Sequence, residues 1–507
     1  MKTIDLSNKS VTIAQNAVTA KLVDASRELK LLVQSILSYK VEGAEHTLKF
    51  KTSSWNGRSS FLDFASGTFP SGFSYLVQSH LSRRGYTVRH LKQRLPEPNG
   101  PEEFWKFSKF GRDPRYDYQV DVVDQLIKYG QIIAMIATGG GKSLVTTYAF
   151  ARIQRPTLFL TTRAVLMYQM KDSIEEALKI KVSVLGDGHW GHINSSGTSC
   201  IKQFSVGMVQ TLASRLKDEA TRDQTISLLE KFELVIGEEA HEVSGSSYTD
   251  IMKHCKNANY RLALTATPFM KDDEEANMRL MASFGPVAVK VSEKELIEKG
   301  ILAKPYFKYV DLHKKPEKMS RNTPWQPAYR IGIVDNDERN ALIVEEVVRA
   351  ARHSLTALVL VQQVKHGDKL EEMLSEKGLK ISFIRGENDQ IERKKALTDL
   401  SSGILNVVIG TSILEVGVDV PSIGLIVLAG GGKAQVALRQ RIGRGLRAKK
   451  KGGNVAFIVD FNDPHNCYLT AHYKTRRYIV EKTEGFVDGI LEPGKDFDYN
   501  LLKGKTA

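Results

Sequence analysis

The 507 residues predict an α/β fold, in which two tandem domains with parallel sheets follow a small α/β N-terminal domain. Three observations carry this. From about Arg115 onward, short apolar runs of strand length alternate with longer amphipathic stretches, in two separate sets. A glycine-rich turn, Thr138-Gly139-Gly140-Gly141-Lys142-Ser143, stands between a strand-like and a helix-like stretch. A cluster of Pro96, Pro98, Gly100 and Pro101 breaks the chain before both sets begin.

Residues 1–95 are the first expected domain, set apart by that linker signal. They read as an amphipathic helix over 25–39, short strands near 47–50 and 60–64, and a helix over 74–84. The second domain is expected over 101–300, with strands at 132–136, 157–161, 234–236 and 262–265 and a helix over 144–153. Continuous apolar runs of this length fit strands buried on both faces of a parallel sheet. Their alternation with helices argues for α/β layers. A second set, at 358–361, 381–384, 407–409, 425–428 and 455–459, is too much for one compact sheet and defines a third domain over 301–480. The seam falls near 298–340, where Gly300, Pro305, Pro316, Pro324 and Pro327 interrupt regular structure. A helix resumes over 341–351, behind the capping residues Asp335, Asn336 and Asp337. Residues 481–507 read as a polar, loose tail.

Composition excludes several classes. Hydrophobic residues make up 42% and charged residues 26%, which fits a globular chain and not a disordered one. No run of 18 or more apolar residues occurs, so a transmembrane span is not expected. The first residues lack the apolar core of a signal peptide. Cys200, Cys255 and Cys467 stand far apart, which fits a reducing cytoplasm and argues against a zinc cluster.

Charge is the remaining compositional signal. There are 72 Lys and Arg against 58 Asp and Glu, a net +14. Residues 1–100 hold 14 basic and 7 acidic residues. Between Asp419 and Asp460 there is no acid, but Lys433, Arg439, Arg441, Arg444, Arg447 and Lys449 to Lys451 all occur. Such a surplus favours a polyanionic partner.

The glycine-rich turn is a phosphate-binding pattern. Glycines let backbone N–H groups turn inward around phosphate oxygens, and the following helix adds a favourable dipole. Lys142 is placed to reach the β- and γ-phosphates, and the Ser143 hydroxyl to hold Mg²⁺. The general pattern has a further glycine where this chain has Ile136. Residues 234–241 then supply a buried strand ending in Glu238, Glu239, Ala240 and His241. The first acid suits a metal, and the second suits the attacking water of nucleotide hydrolysis.

From Arg115 to Arg447 the ordered motifs resemble those of superfamily 2 helicases, whose motor is a pair of RecA-like P-loop domains. Tyr118-Gln119 matches the adenine-recognising glutamine and Thr138–Ser143 matches motif I. Thr161-Thr162-Arg163 with Gln169 is similar to motif Ia, and the stretch ending Gln210-Thr211 to the Thr-Gln segment. Residues 238–241 resemble the DEAH box and Leu264-Thr265-Ala266-Thr267-Pro268 the TATP form of motif III. Gly410-Thr411-Ser412 through Gly417-Val418-Asp419 resembles motif V, and Gln440 through Arg447 resembles motif VI. Glu238 departs from the family's Asp, so metal geometry must adjust to one more methylene.

The resemblance implies ATP and Mg²⁺ as cofactors, bound in a cleft between the two RecA-like domains. Ser143 and Glu238 would hold the metal, and Glu239 the attacking water. Arg444 and Arg447 would balance charge on the γ-phosphate, Gly417 and Asp419 would lie by the ribose, and Gln440 and His241 would bridge the domains. Thr162, Arg163, Gln210, Thr211, Thr411 and Ser412 would touch a DNA strand. The TATP and DEAH-like forms resemble DNA translocases, and Trp55-Asn56-Gly57-Arg58 with 61–64, 69–73 and Gly85-Tyr86 resembles the N-terminal portion of UvsW-like phage recombination helicases. That implies a branched-DNA partner, a host-cytoplasmic phage setting and a motor able to work as a monomer. Arg58, Arg83 and Arg84, with Arg89, are the N-terminal contact candidates, while core packing is the favoured reading for Trp55, Phe61, Phe69 and Phe73. Two other functions fit parts of the sequence: the motor of a restriction-type translocase, and a DNA-binding scaffold with an impaired ATPase.

Overall fold

The computed structural model describes residues 10–107, 113–193, 199–238, 246–266, 274–386, 388, 390–411, 423–432 and 453–503. The chain divides into two compact units, Met1–Ile136 with Gly141–Lys290, and Val291–Ala507 with Ala137–Gly140.

The first unit holds a four-stranded sheet, a two-stranded ribbon and a nine-stranded sheet. In the nine-stranded sheet, Val182–Gly186, Phe204–Met208, Thr157–Thr161, Leu234–Glu238, Tyr260–Thr265 and Gln131–Ile136 lie side by side in that order, all parallel. Their apolar runs are buried on both faces: Ile132, Ile133, Leu158, Phe159, Leu160, Val235, Ile236 and Leu262 are fully buried. Each such side chain contributes about 1.5–3 kcal/mol relative to exposure. The second unit carries a six-stranded sheet in the order Lys304–Asp311, Val455–Asn462, Leu425–Val427, Ala357–Leu360, Val407–Gly410, Ile381–Ile384, again parallel throughout. The nine expected strands are all present, within a few residues at their ends. The helix expected at 341–351 begins earlier, as Asp337–Arg352, because the Asn336 side chain accepts from Arg339 N and caps it.

The N-terminal 95 residues differ more from expectation. The segment read as a strand at 47–50 is helical, Leu48–Thr52, because the Thr47 hydroxyl accepts from Phe50 N and starts a turn. The strand read at 60–64 lies earlier, at Arg58–Ser60, paired with Ser38–Lys40. The main sheet uses strands that were not expected, Ser10–Gln15 and Thr19–Val23, whose buried residues alternate with more exposed ones as in a half-buried strand. The aromatic residues Phe69 and Phe73 are buried core, with Phe61 against Phe73 at 5.3 Å. Trp55 donates its indole N–H to Arg58 O at 2.6 Å.

This module packs directly on its neighbour. Ala282, Met278 and Met281 of the helix Glu274–Phe284 join its core. Ser71 Oγ donates to Gln131 Oε1 at 3.1 Å, and Gln131 Nε2 to Ala17 O at 2.8 Å. The proline-rich connection is also strapped down, with the Tyr260 hydroxyl on Pro96 O and Arg155 on Glu97 O.

The C-terminal stretch read as a loose tail is packed through residue 502. Leu491 N donates to Phe307 O at 2.9 Å, Phe497 is buried, and Tyr499 stacks on His353 at 4.0 Å. Asp496 pairs with Lys308 and, at 2.5 Å, with Arg349. A few aromatic anchors outweigh the polar composition there.

Gly72 marks the closest approach of the N-terminal module: a Cβ there would stand 2.1 Å from Met281 O and 2.7 Å from Ala282 O. Backbone atoms cannot yield cheaply. Gly72→Ala is expected to cost about 1–3 kcal/mol of unfolding free energy, measured by urea denaturation; an unchanged midpoint would contradict this docking.

Candidate nucleotide site and strand-facing loops

The parallel register fixes where the chemistry lies. Glu238 pairs with Leu264, and Leu264 with Ala134, so the ends of these three strands are level. One strand, Tyr260–Thr265, separates the Glu238 strand from the one entering the glycine turn. Two strand spacings are about 10 Å, room for a phosphate chain with a metal. Open parallel sheets bind ligands at this carboxyl edge.

The turn has the backbone a phosphate cradle needs. Gly139 and Gly141 adopt φ of +91° and +78°, values an L side chain resists. Gly140 N donates to Ala137 O at 3.0 Å, closing the turn. The helix Lys142–Ile153 follows at once, with Gly141 as its cap residue and no side-chain cap. Thr138 and Lys142 are partly exposed, and Ser143 is exposed at the helix start. Tyr118 and Gln119 are buried, and Gln119 Nε2 donates to Gly141 O at 3.4 Å. Gln119 thus braces the turn.

Glu238 closes the strand Leu234–Glu238 and is only 9% exposed. Tyr248, buried in the helix Ser246–His254, donates its hydroxyl to Leu160 O at 3.2 Å and Glu238 O at 3.4 Å. That brace was not legible beforehand, since an aromatic on a helix carries no signal for it. Gly237 is small for a reason: a Cβ there would meet Phe284 at 2.7 Å. A hydroxyl and a carboxylate are hard oxygen donors, the set that suits Mg²⁺.

Thr162 and Arg163 follow the strand Thr157–Thr161 at the same edge. Gln210 Nε2 donates to Thr162 O at 2.9 Å, so the structure joins two motifs separated by 48 residues. Thr211 is half-buried beside it on the helix Val209–Lys217. In the second unit Thr411 follows the strand Val407–Gly410 and is buried, with no hydrogen-bond partner at Oγ1 among the described residues. Glu239, His241, Ser412, Gly417, Asp419, Gln440, Arg444 and Arg447 lie outside the described residues.

The N-terminal charge divides by what it touches. Arg58 Nη2 donates to Ser38 O and to Glu274 Oε2, both at 3.0 Å, and Lys40 N reaches the same carboxylate. These bonds hold the glutamate carboxyl below the usual range, the Lys40 amide contributing most. Any DNA contact by Arg58 competes with them. Lys92 donates to Tyr129 O, and burial pushes it down to about 8. Arg83, Arg84 and Arg89 lie exposed, Arg84 also donating to His80 O at 3.1 Å.

Two tandem α/β domains, the first with a phosphate cradle and an acidic strand end on one sheet edge, define a nucleotide-driven motor of the RecA-like class. Comparison with known families agrees. Residues 114–270 match the family described as "Type III restriction enzyme, res subunit", and residues 338–449 match "Helicase conserved C-terminal domain". Together these cover just over half of the chain. The ATP-dependent DNA helicase uvsW of Enterobacteria phage T4 is 22% identical over 88% of this chain and 89% of its own length. The DNA 3'-5' translocase XPB2 of Sulfurisphaera tokodaii is 24% identical over 68% and 81%. The solved DUF1998 helicase MrfA bound to DNA shares the fold, with TM-score 0.56, 17% identity and coverage of 77% of this chain and 52% of that one. The chain belongs to the superfamily 2 helicases, of the UvsW-like type, and is an ATP-dependent helicase.

Among the described residues no helix is long and apolar enough to cross a membrane.

Gly141→Ala forces an L residue into a left-handed backbone, at about 1–2 kcal/mol, and drives a Cβ to 2.4 Å from Gln119 Nε2. Affinity for a fluorescent ATP analogue is expected to fall about tenfold without loss of fold by circular dichroism. Equal affinity for both proteins would remove the turn from the nucleotide site.

Proposed function

We propose that this helicase is a DNA motor that unwinds or branch-migrates forks and four-way junctions in phage replication, recombination and repair. The observation that carries it is the single sheet edge on which the glycine turn, Glu238 and the Thr162–Gln210 pair converge. Similarity to phage T4 uvsW along 88% of the chain supports the branched substrate and the host cytoplasm as its setting.

In this reading the N–H groups of Thr138 to Ser143 grip the phosphates of ATP and Lys142 neutralises the β- and γ-oxygens. Mg²⁺ held by Ser143 and Glu238 would supply positive charge between those phosphates. Tyr118 and Gln119 face the adenine, and Gly417 and Asp419 the ribose. Glu239 takes the proton of the attacking water, whose oxygen bonds to the γ-phosphorus as the bond to the β-phosphate oxygen breaks. Arg444 and Arg447 balance the transition-state charge, with Gln440 and His241 linking hydrolysis to movement. Thr162, Arg163, Gln210, Thr211, Thr411 and Ser412 hold the strand by its backbone. Arg83 and Arg84, with Arg89, grip phosphates at a junction without reading sequence. The motor acts as a monomer.

The description of the family matched over 114–270 favours a second reading, the motor of a restriction-type translocase. One panel separates the two: fork, four-way junction, linear duplex and single strand, with ATP, for the wild type and Arg83→Glu/Arg84→Glu. Expected are separated but uncut strands, and a loss of about tenfold or more in junction affinity in the variant, with single-strand affinity nearly unchanged. Equal loss on junction and single strand would defeat the junction role, and cut strands would favour the restriction reading.

A further inference from the structure

Ahead of the segment that holds Gln440, Arg444 and Arg447, the chain turns through Ala429, Gly430, Gly431 and Gly432, just after the strand Leu425–Val427. Four successive carbonyls of this turn each accept a hydrogen bond from a different side chain. Arg339 Nη2 donates to Ala429 O at 3.0 Å and the Tyr329 hydroxyl to Gly430 O at 2.7 Å. Gln362 Nε2 donates to Gly431 O at 3.3 Å and Arg476 Nη1 to Gly432 O at 2.9 Å. The donors come from four places: the helices Asp337–Arg352, Trp325–Tyr329 and Cys467–Lys482, and the stretch after Ala357–Leu360.

The two arginines are buried, 0% and 4% exposed. Each is held at its other side by its own acid. Arg339 Nη1 meets Asp463 at 2.7 Å, and Arg476 meets Asp460 through three bonds of 2.9 to 3.2 Å. The glycines permit the approach: a Cβ on Gly430 would lie 2.8 Å from Gln362 N, and one on Gly432 would lie 2.2 Å from Gln362 Nε2.

Two buried ion pairs are a costly way to stabilise a turn, because well-packed apolar residues often stabilise as much. What a guanidinium adds is geometry, since its planar fork fixes two partners at once. Here one end of each fork is an anchored carboxylate and the other is the turn. We infer that Arg339, Arg476 and Tyr329 are positioning residues, clamping the turn that precedes Arg444 and Arg447 in sequence, and that turnover through those two arginines depends on this clamp. The inference rests on the proposed nucleotide role of those two arginines. The four donors stand 44 to 101 positions from the carbonyls they reach, in no motif of the family pattern quoted above.

The test uses the full chain with forked DNA and two mild variants. Tyr329→Phe removes one hydroxyl. Arg476→Lys keeps a charge for Asp460 but cannot span both Asp460 and Gly432. Steady-state ATP hydrolysis is measured beside hydrogen–deuterium exchange over residues 429–432. Each variant is expected to lower kcat about tenfold, to leave KM for ATP within about twofold, and to raise exchange over 429–432 while the strands Ala357–Leu360 and Val407–Gly410 stay protected. Unchanged exchange at the turn overturns the proposal. So does raised exchange with wild-type kcat, or a loss of protection across the whole second sheet. Arg444→Ala separates the two ideas: wild-type turnover in that variant defeats the role of Arg444, while the exchange result still decides whether the clamp exists. With Arg444 absent, Tyr329→Phe is expected to add no further loss, and an equal further loss contradicts the proposal.

Discussion

The parallel pairing of six strands in the first unit is the constraint on which the rest depends. Parallel strands need crossover connections, which cover both faces of the sheet with helices. The loops at the carboxyl edge then bring polar groups from several strands together. The glycine turn, Glu238, and the Thr162 carbonyl that receives Gln210 all sit there. A one-strand gap between the turn and Glu238 leaves the space that a metal-bound phosphate chain requires. Change the order of those strands and the same residues no longer form a site.

The basic surplus has a finer meaning than a net charge suggests. Some of it is structural: Arg58 docks the N-terminal ribbon on Glu274, Lys92 is buried against Tyr129 O, and Arg339 and Arg476 are core residues. Arg83, Arg84 and Arg89 remain outward-facing. The N-terminal module is fastened to the helix Glu274–Phe284, which begins a few residues after the Thr265–Ala266 end of its strand.

Legibility in the sequence followed burial. Strands buried on both faces left apolar runs, and 157–161 was placed to the residue. Half-buried strands left weaker marks. The alternation of Val11 and Ile13, and of Ala20 and Leu22, was there to be read, whereas Thr47 turned an apparent strand into a helix by capping it. The packed C-terminus was hidden because Phe497 and Tyr499 act from within a polar stretch. The site was legible where it is local, as in the glycine turn. It was not legible where partners are distant: nothing in one sequence separates Arg339, paired with Asp463 across 124 residues, from a solvated helix arginine.

The central claim is that the glycine turn and its lysine drive a motor on DNA. The most direct measurement is phosphate release from ATP with Mg²⁺, with and without forked DNA, for the wild type and Lys142→Ala. The account predicts release stimulated by DNA in the wild type and none in Lys142→Ala. Release at equal rates from both proteins, or from neither, would contradict it.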